Sequence, residues 1–295
     1  MGTIAVVGSL NMDVSYRVAH IPAPGETVLA RGVTKSPGGK GGNQAVAAAK
    51  MGAQVAMIGC VGRDGDGGAL RASLRGAGVD DALVAACDEP TGTAFICVSD
   101  AGENNIVVHA GANGCVDAAV LARARARLAG AQICVVQLEI PHETAWAALR
   151  LCRELGVFTA LNPSPACQVP AQALQGLDLL VPNETEMAAL LGREADPAAD
   201  LPRFARETGV RRILMTVGAQ GCYLADAQGV RHFPAQPVRA VDTTGAGDTF
   251  LGALCAMLAE GRPVEEAIDV AQRAAALTVQ RMGAQQAMPS RAQVL

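Results

Sequence analysis

Aromatic residues are nearly missing from this chain: Phe, Tyr and Trp make up 3% of its 295 residues, with one tryptophan, Trp146. Any core must be filled by Ala, Val, Leu and Ile, and the 50% hydrophobic content supplies them. Paired cysteines are missing too. The nine cysteines are scattered singly, with no C-x-x-C pair, which argues against a disulfide framework and fits free thiols in a reducing cytoplasm. The four histidines, His20, His109, His142 and His232, show no ligand spacing with them, so no zinc site is expected. Positive charge is not in excess: the formal net charge is −4, which disfavours nucleic acid as a partner. No apolar run approaches the roughly 18 residues of a membrane span, so no membrane partner is expected. The first eight residues carry no basic segment ahead of an apolar one, so no secretion signal is expected either. Two nucleotide fingerprints are also missing. Gly38-Gly39-Lys40-Gly41-Gly42-Asn43-Gln44 is not a Walker A loop, and Gly8-Ser9-Leu10-Asn11 does not supply G-x-G-x-x-G, which disfavours a dehydrogenase.

What is present is a set of short apolar runs at 4–7, 55–59, 133–136, 157–160, 178–181 and 212–216. Runs of this length read as buried strands. Helical patterns are read at 45–51, 65–77, 117–128, 143–155, 248–260 and 264–280. Strands alternating with helices predict a mainly parallel sheet with its ligand crevice at the carboxyl rim. Residues 14–18, 28–35 and the hairpin 93–109, with its polar tip at 99–104, read as a smaller sheet standing apart. No repeat or long linker divides the chain, so one α/β domain is expected over 1–295. Trp146 is expected in the core, and Arg123, Arg125, Arg127 and Arg150 on a solvated face.

Three stretches carry chemistry. Asn11 and Asp13 follow the first strand at the expected rim, as ligand contacts or as a polar turn. Four glycines surround Lys40 and imply that something polar approaches the backbone closely. Asn43 caps the following helix or bonds a hydroxyl-rich ligand. The third stretch is Val241-Asp242-Thr243-Thr244-Gly245-Ala246-Gly247-Asp248-Thr249-Phe250, which runs into an apolar helix. Free N–H groups at a helix start attract anions, and glycines let an anion approach. A carboxylate beside a transferring phosphoryl group is placed to take the proton of an attacking hydroxyl. The alternative is that Asp248 caps the helix while Gly245 and Gly247 serve a turn.

The glycine-rich segment at 38–47 and the segment 242–250 resemble the two signatures of the PfkB-type carbohydrate kinases. Six shorter stretches resemble the ribokinase branch: 8–13, 109–113, 137–139, 161–163, 182–186 and 283–285, collinear over nearly the whole chain. The resemblance implies a three-layer α/β/α ribokinase-like fold with a mainly parallel central sheet and a small β-sheet lid, formed by about 14–35 and 93–109. It implies phosphorylation of D-ribose at O5 by ATP with Mg2+, and a homodimer paired through the lids. Matching positions for the sugar are Asn11, Asp13, Gly39, Lys40, Asn43 and Glu139, with Asp248 as general base. The N–H groups of Gly245, Ala246 and Gly247 form the anion hole. The ATP side uses Asn183, Thr216, Val217, Gly218, Ala219, Gln220, Gly221, Gly247 and Gln272, with Glu186 acting on Mg2+ through water. A K+ site takes Asp242, Thr244, Thr278, Arg281, Gly283 and Ala287, mostly through backbone oxygens. Ala287 is a departure, standing where ribokinases can offer a serine hydroxyl. The rivals are the same transfer to 2-deoxyribose, fructose or adenosine, and a catalytically silent sugar- or nucleotide-binding regulator.

Overall fold

The computed structural model describes residues 2–295. Its strands are β1 (Thr3–Val7), β2 (Asn11–Val18), β3 (Gly32–Gly38), β4 (Gln54–Gly62), β5 (Asp80–Cys87), β6 (Gly92–Ser99), β7 (Asn104–His109), β8 (Ile133–Val136), β9 (Phe158–Leu161), β10 (Leu179–Leu180), β11 (Ile213–Thr216), β12 (Cys222–Asp226) and β13 (Gly229–Phe233). The helices are α1 (Lys40–Lys50), α2 (Gly65–Gly76), α3 (Ala118–Ala129), α4 (His142–Glu154), α5 (Ala171–Leu174), α6 (Glu184–Leu191), α7 (Pro197–Thr208), α8 (Ala246–Ala259), α9 (Val264–Thr278) and α10 (Arg291–Val294).

The larger sheet runs β13-β12-β11-β10-β9-β8-β1-β4-β5. Its pairings are parallel except for β11–β12 and β12–β13. Successive side chains of a strand point to opposite faces, and here both faces are covered. Ile4 and Val6 of β1 enter one core cluster, while Ala5 and Val7 enter another. Ile133 and Val135 of β8 divide from Cys134 and Val136 in the same way. Helices α1, α2, α8 and α9 bury their apolar residues in the first cluster, and α3, α4 and α7 in the second. Burial on both faces is why these strands read as continuous apolar runs rather than alternating ones.

The smaller sheet has the order β3-β2-β6-β7. Strands β2 and β6 run parallel, and the outer pairs are antiparallel. The first of its strands begins at Asn11, earlier than expected. The stretch 28–31 is not strand: the ladder with β2 ends where Arg17 pairs with Gly32. Helix α1 begins at Lys40 rather than at residue 45. Trp146 is only half-buried, and its ring tilts against His142 at 5.7 Å. Strand β5, helix α7 and the β12–β13 hairpin are additions to the pattern expected from sequence.

Candidate active site

In a parallel sheet the carboxyl ends of the strands share one rim. At that rim lies a cavity of about 220 Å3, lined by Lys40, Asn162, Val181, Asn183, Glu186, Thr216, Thr243, Gly245, Gly247, Asp248 and Leu251. A larger cleft of about 700 Å3 opens among Thr3, Gln54, Asp80, Arg123 and Arg127. There Arg127 is already paired with Asp80, and none of the residues expected to carry chemistry lines it.

The glycines around Lys40 serve the protein's own backbone first. Gly39 has a positive φ of 80°, and a Cβ there would lie 2.6 Å from the Asn11 amide nitrogen. A Cβ on Gly41 would lie 2.6 Å from the amide nitrogen of Ser9. What approaches is thus the turn between β1 and β2, and the closeness lets α1 start within the glycine segment despite glycine's poor helix propensity. The Gly42 amide donates to the Ser9 carbonyl at 2.9 Å. The Ser9 hydroxyl donates to Glu139 Oε2 at 2.5 Å, and the Lys40 amide donates to the same oxygen at 3.1 Å. The glycine segment, the first turn and Glu139 are therefore one assembly. Asn11 joins it through Asn113, whose amide donates to Asn11 Oδ1 at 2.7 Å while its own Oδ1 accepts from the Leu10 amide at 2.8 Å.

Asp248 sits in the first turn of α8 but does not cap it; the N-cap is Gly245. Its carboxylate turns to α1 instead. Oδ2 accepts from Asn43 Nδ2 at 2.9 Å, and Oδ1 accepts from Gln44 Nε2 at 2.9 Å. Asn43 likewise is no cap: it lies inside α1, and its Oδ1 accepts from Gln285 at 3.1 Å. Beside Asp248, the N–H groups of Gly245 and Gly247 have no acceptor among the described residues. The Ala246 N–H differs from the expected anion hole, because it closes a turn onto the Thr243 carbonyl at 3.2 Å.

Charge converges on this corner. Burial pulls the Lys40 ammonium down, but the carboxylates of Asp248, Glu139 and Glu186 outweigh it and hold Lys40 above its ordinary value. Asp13 is pushed up to about 7, first by burial and then by the charges of Glu139 and Asp248. A site that brings carboxylates and one ammonium together out of water is poised for chemistry rather than for stability.

On the opposite side of the cavity, Asn183 and Glu186 form a capping box on α6. Glu186 Oε2 accepts from the Asn183 amide at 2.9 Å and from Asn162 Nδ2 at 3.1 Å. Glu186 is thus both a first-turn carboxylate of a helix and a wall of the cavity. Thr216 and Gly247 also line it. The rest of the expected ATP segment runs outward from β11. Val217 is buried in the second core cluster, and residues Gly218–Gln220 form a 3-10 turn closed by Gly221. Gln272 is not among the cavity residues: its amide donates to the Phe233 carbonyl at 3.0 Å.

The expected cation positions lie where two segments run side by side. Val241 N donates to the Val279 carbonyl at 2.7 Å, and Asp242 accepts from the amides of Gly283 at 2.8 Å and Thr244 at 2.9 Å. Burial works to raise the Asp242 carboxyl, yet these hydrogen bonds hold it below its ordinary value. Among the described residues no group of three or more His, Cys, Asp or Glu side chains could hold a metal. One carboxylate among backbone and hydroxyl oxygens is an oxygen donor set, which suits a hard cation. Thr278 is fully buried with its hydroxyl on the Ala274 carbonyl, Arg281 is exposed, and the buried Ala287 adds no side-chain oxygen.

Four residues that sequence reasoning passed over belong to the site: Ser9, Gln44, Asn162 and Gln137. Ser9 and Gln44 stand in or beside stretches singled out for their polar character, and Asn162 lies in a stretch that carries the resemblance. Gln137 opens the stretch that ends in Glu139. Nothing in a single sequence pairs them, because the bonds from Ser9 to Glu139, Gln137 to Gln44, and Gln44 to Asn162 and Asp248 span 93 to 204 positions.

The description "pfkB family carbohydrate kinase" matches residues 1–291 of this chain. A ribokinase of Bacillus subtilis is 39% identical over 296 residues, covering 100% of this chain and 98% of that protein. A deoxyribokinase of Salmonella typhi is 34% identical, covering 97% of this chain and 95% of that protein. The structure of Arabidopsis thaliana ribokinase complexed with ribose and ATP superposes with a TM-score of 0.91 at 31% identity, covering 100% of this chain and 98% of that one. On these grounds, and with the fold and the rim geometry above, the chain belongs to the pfkB family of carbohydrate kinases.

Proposed function

We propose that the chain transfers the γ-phosphoryl group of ATP to O5 of D-ribose, giving D-ribose 5-phosphate. The observation that carries this reading is the Asp248 carboxylate. It is fixed on both oxygens by α1, faces the rim cavity, and stands beside the unengaged amides of Gly245 and Gly247. In this reading Asp248 accepts the proton of the sugar hydroxyl, and the two amides stabilise charge on the phosphoryl oxygens, a contribution of about 3 kcal/mol per donor where it has been measured. Asn11, Asp13, Gly39, Lys40, Asn43 and Glu139 hold the remaining hydroxyls. Polar groups of this kind discriminate strongly between polyols. Asn183, Thr216 and the turn at 217–221 take the nucleotide. Glu186 would hold Mg2+ through water, and the ion would supply neutralisation of the ATP phosphate charge. The donor set around Asp242 supports K+ beside the anion hole.

The smaller sheet is proposed as the lid of a single ribokinase-like unit spanning the chain. Val33, Phe95 and Val107 are exposed on one face of that sheet, an apolar surface that supports pairing of two lids in a homodimer. The nine free thiols support the cytoplasm as the compartment.

The test is turnover on D-ribose, 2-deoxyribose, fructose and adenosine, in potassium and in sodium. Ribose is expected to be the best substrate, with potassium activating. 2-Deoxyribose is the sugar to beat, given the deoxyribokinase relative. Negligible ribose turnover overturns the reading, and equal rates in both salts remove the cation.

The raised Asp13 carboxyl gives a pH dependence with a definite sign. Below about 7 the group in the free protein is protonated, and a protonated carboxyl no longer accepts from two hydroxyls at once. The KM for ribose should therefore rise as pH falls below 7, by up to about tenfold per unit. Asp13→Asn should raise KM at pH 8 and abolish this slope. A wild-type KM that stays flat from pH 8 to pH 6 contradicts the assignment of Asp13 to the sugar.

A further inference from the structure

We propose that Gln44 and Gln137 are positioning residues, a relay of two side-chain amides that fixes the direction in which the Asp248 carboxylate points. The proposal rests on the reading of Asp248 as the general base. Gln44 Nε2 donates to Asp248 Oδ1 at 2.9 Å and reaches Asn162 Oδ1 at 3.3 Å. Both partners are acceptors, so the amide must present its nitrogen to them. Turned over, it would set Oε1 against two other oxygens. What prevents the turn is Gln137, whose Nε2 donates to Gln44 Oε1 at 2.5 Å.

Gln137 makes this contact at a cost. It is fully buried, and its own Oε1 has no hydrogen-bond partner. That oxygen lies against Gly8, where even a Cβ would come within 1.8 Å of it. An unpaired buried carbonyl oxygen is unfavourable, and an apolar side chain of the same length would avoid it. The amide is useful only at its other end, toward Gln44.

The second anchor of Asp248 differs in kind. Asn43, on Oδ2, is also assigned to the sugar, so its loss would weaken binding and catalysis together. Gln44 and Gln137 are assigned no sugar contact. Their loss should lower kcat and leave sugar affinity nearly untouched, since misplacing a reacting group by about 1 Å costs on the order of 10²-fold.

Gln137→Glu separates this role from a merely structural one. As the neutral acid, the new side chain still donates to Gln44 Oε1. As the carboxylate it can only accept, so the Gln44 amide turns over and presents oxygen to Asp248. At saturating ribose, kcat of this variant should fall as pH rises through the new group's titration, by roughly 10- to 100-fold, with no such fall in the wild type. Gln137→Met keeps the length without the donor and should lower kcat at every pH, with the ribose Kd from calorimetry within about twofold of wild type. Should the buried acid prevent folding, the Met variant decides through the same split between kcat and Kd. Wild-type kcat in a folded Gln137→Met protein overturns the relay. A wild type that phosphorylates no sugar overturns the functional reading instead, and the two failures cannot be confused.

Discussion

Asp248→Ala is expected to lower kcat for ribose by a factor on the order of 10² to 10⁴, the usual contribution of a positioned general base. Ribose binding should largely survive, because the sugar is also assigned to Asn11, Asp13, Lys40 and Glu139. The structure limits the cost to the fold. Asp248 makes no cap on α8, so the helix loses no terminal hydrogen bond with it. The change does release Asn43 Nδ2 and Gln44 Nε2. Water can bond both in the space left behind, next to a cavity that is already polar. It also removes a negative charge that raises both Asp13 and Lys40. The pH at which ribose KM begins to rise should therefore move to lower values in the variant. Steady-state kinetics and calorimetry on the same preparation check both halves. Near-normal turnover would remove Asp248 from the mechanism, and lost binding with a normal melting curve would make it a sugar ligand instead.

Much of this arrangement is legible in the sequence because burial writes itself into composition. Ile4-Ala5-Val6-Val7 and Ile133-Cys134-Val135-Val136 are apolar at every position since each strand is covered on two faces. The positions just past them had to be polar, and that is where Ser9, Asn11, Gln137 and Glu139 stand. The start of α1 was not legible. Two glycines among its first three residues read as a loop by local propensity, and only the approach of the Ser9 backbone explains why the helix accepts them. The direction of Asp248 was hidden for a related reason. A carboxylate in a first helical turn reads as a cap, and the amides that turn it elsewhere sit 204 and 205 positions away. The strand pair β12–β13 escaped because it closes one edge of the sheet as a half-buried hairpin, so it lacks a long apolar run.

The distance between α1 and α8 sets how the Asp248 carboxylate is held, and Gly252 lets the two helices approach. Asn43 and Gln44 belong to α1, Asp248 belongs to α8, and Gly252 lies one turn beyond Asp248 on the contact surface. A Cβ at Gly252 would lie 2.5 Å from Ala47 Cβ, 2.7 Å from the Gln44 carbonyl oxygen and 2.9 Å from the Ala48 nitrogen. Two of those atoms are helix backbone and cannot rotate aside. Gly252→Val must therefore push the helices apart. Overpacking of this kind costs about 1 to 3 kcal/mol or more, and a displacement of about 1 Å between base and support is worth roughly 10² in rate. The variant should melt well below the wild type, and the fraction that stays folded should show a kcat depressed more than its ribose affinity. Gly252→Ala should do both to a smaller degree. Gly114→Ala serves as the control, since nothing lies within 4 Å of a Cβ there, and it should change neither quantity. If Gly252→Val melts and turns over as the wild type does, the helices are free to separate without consequence, and the close packing of α1 on α8 is not what aims the carboxylate.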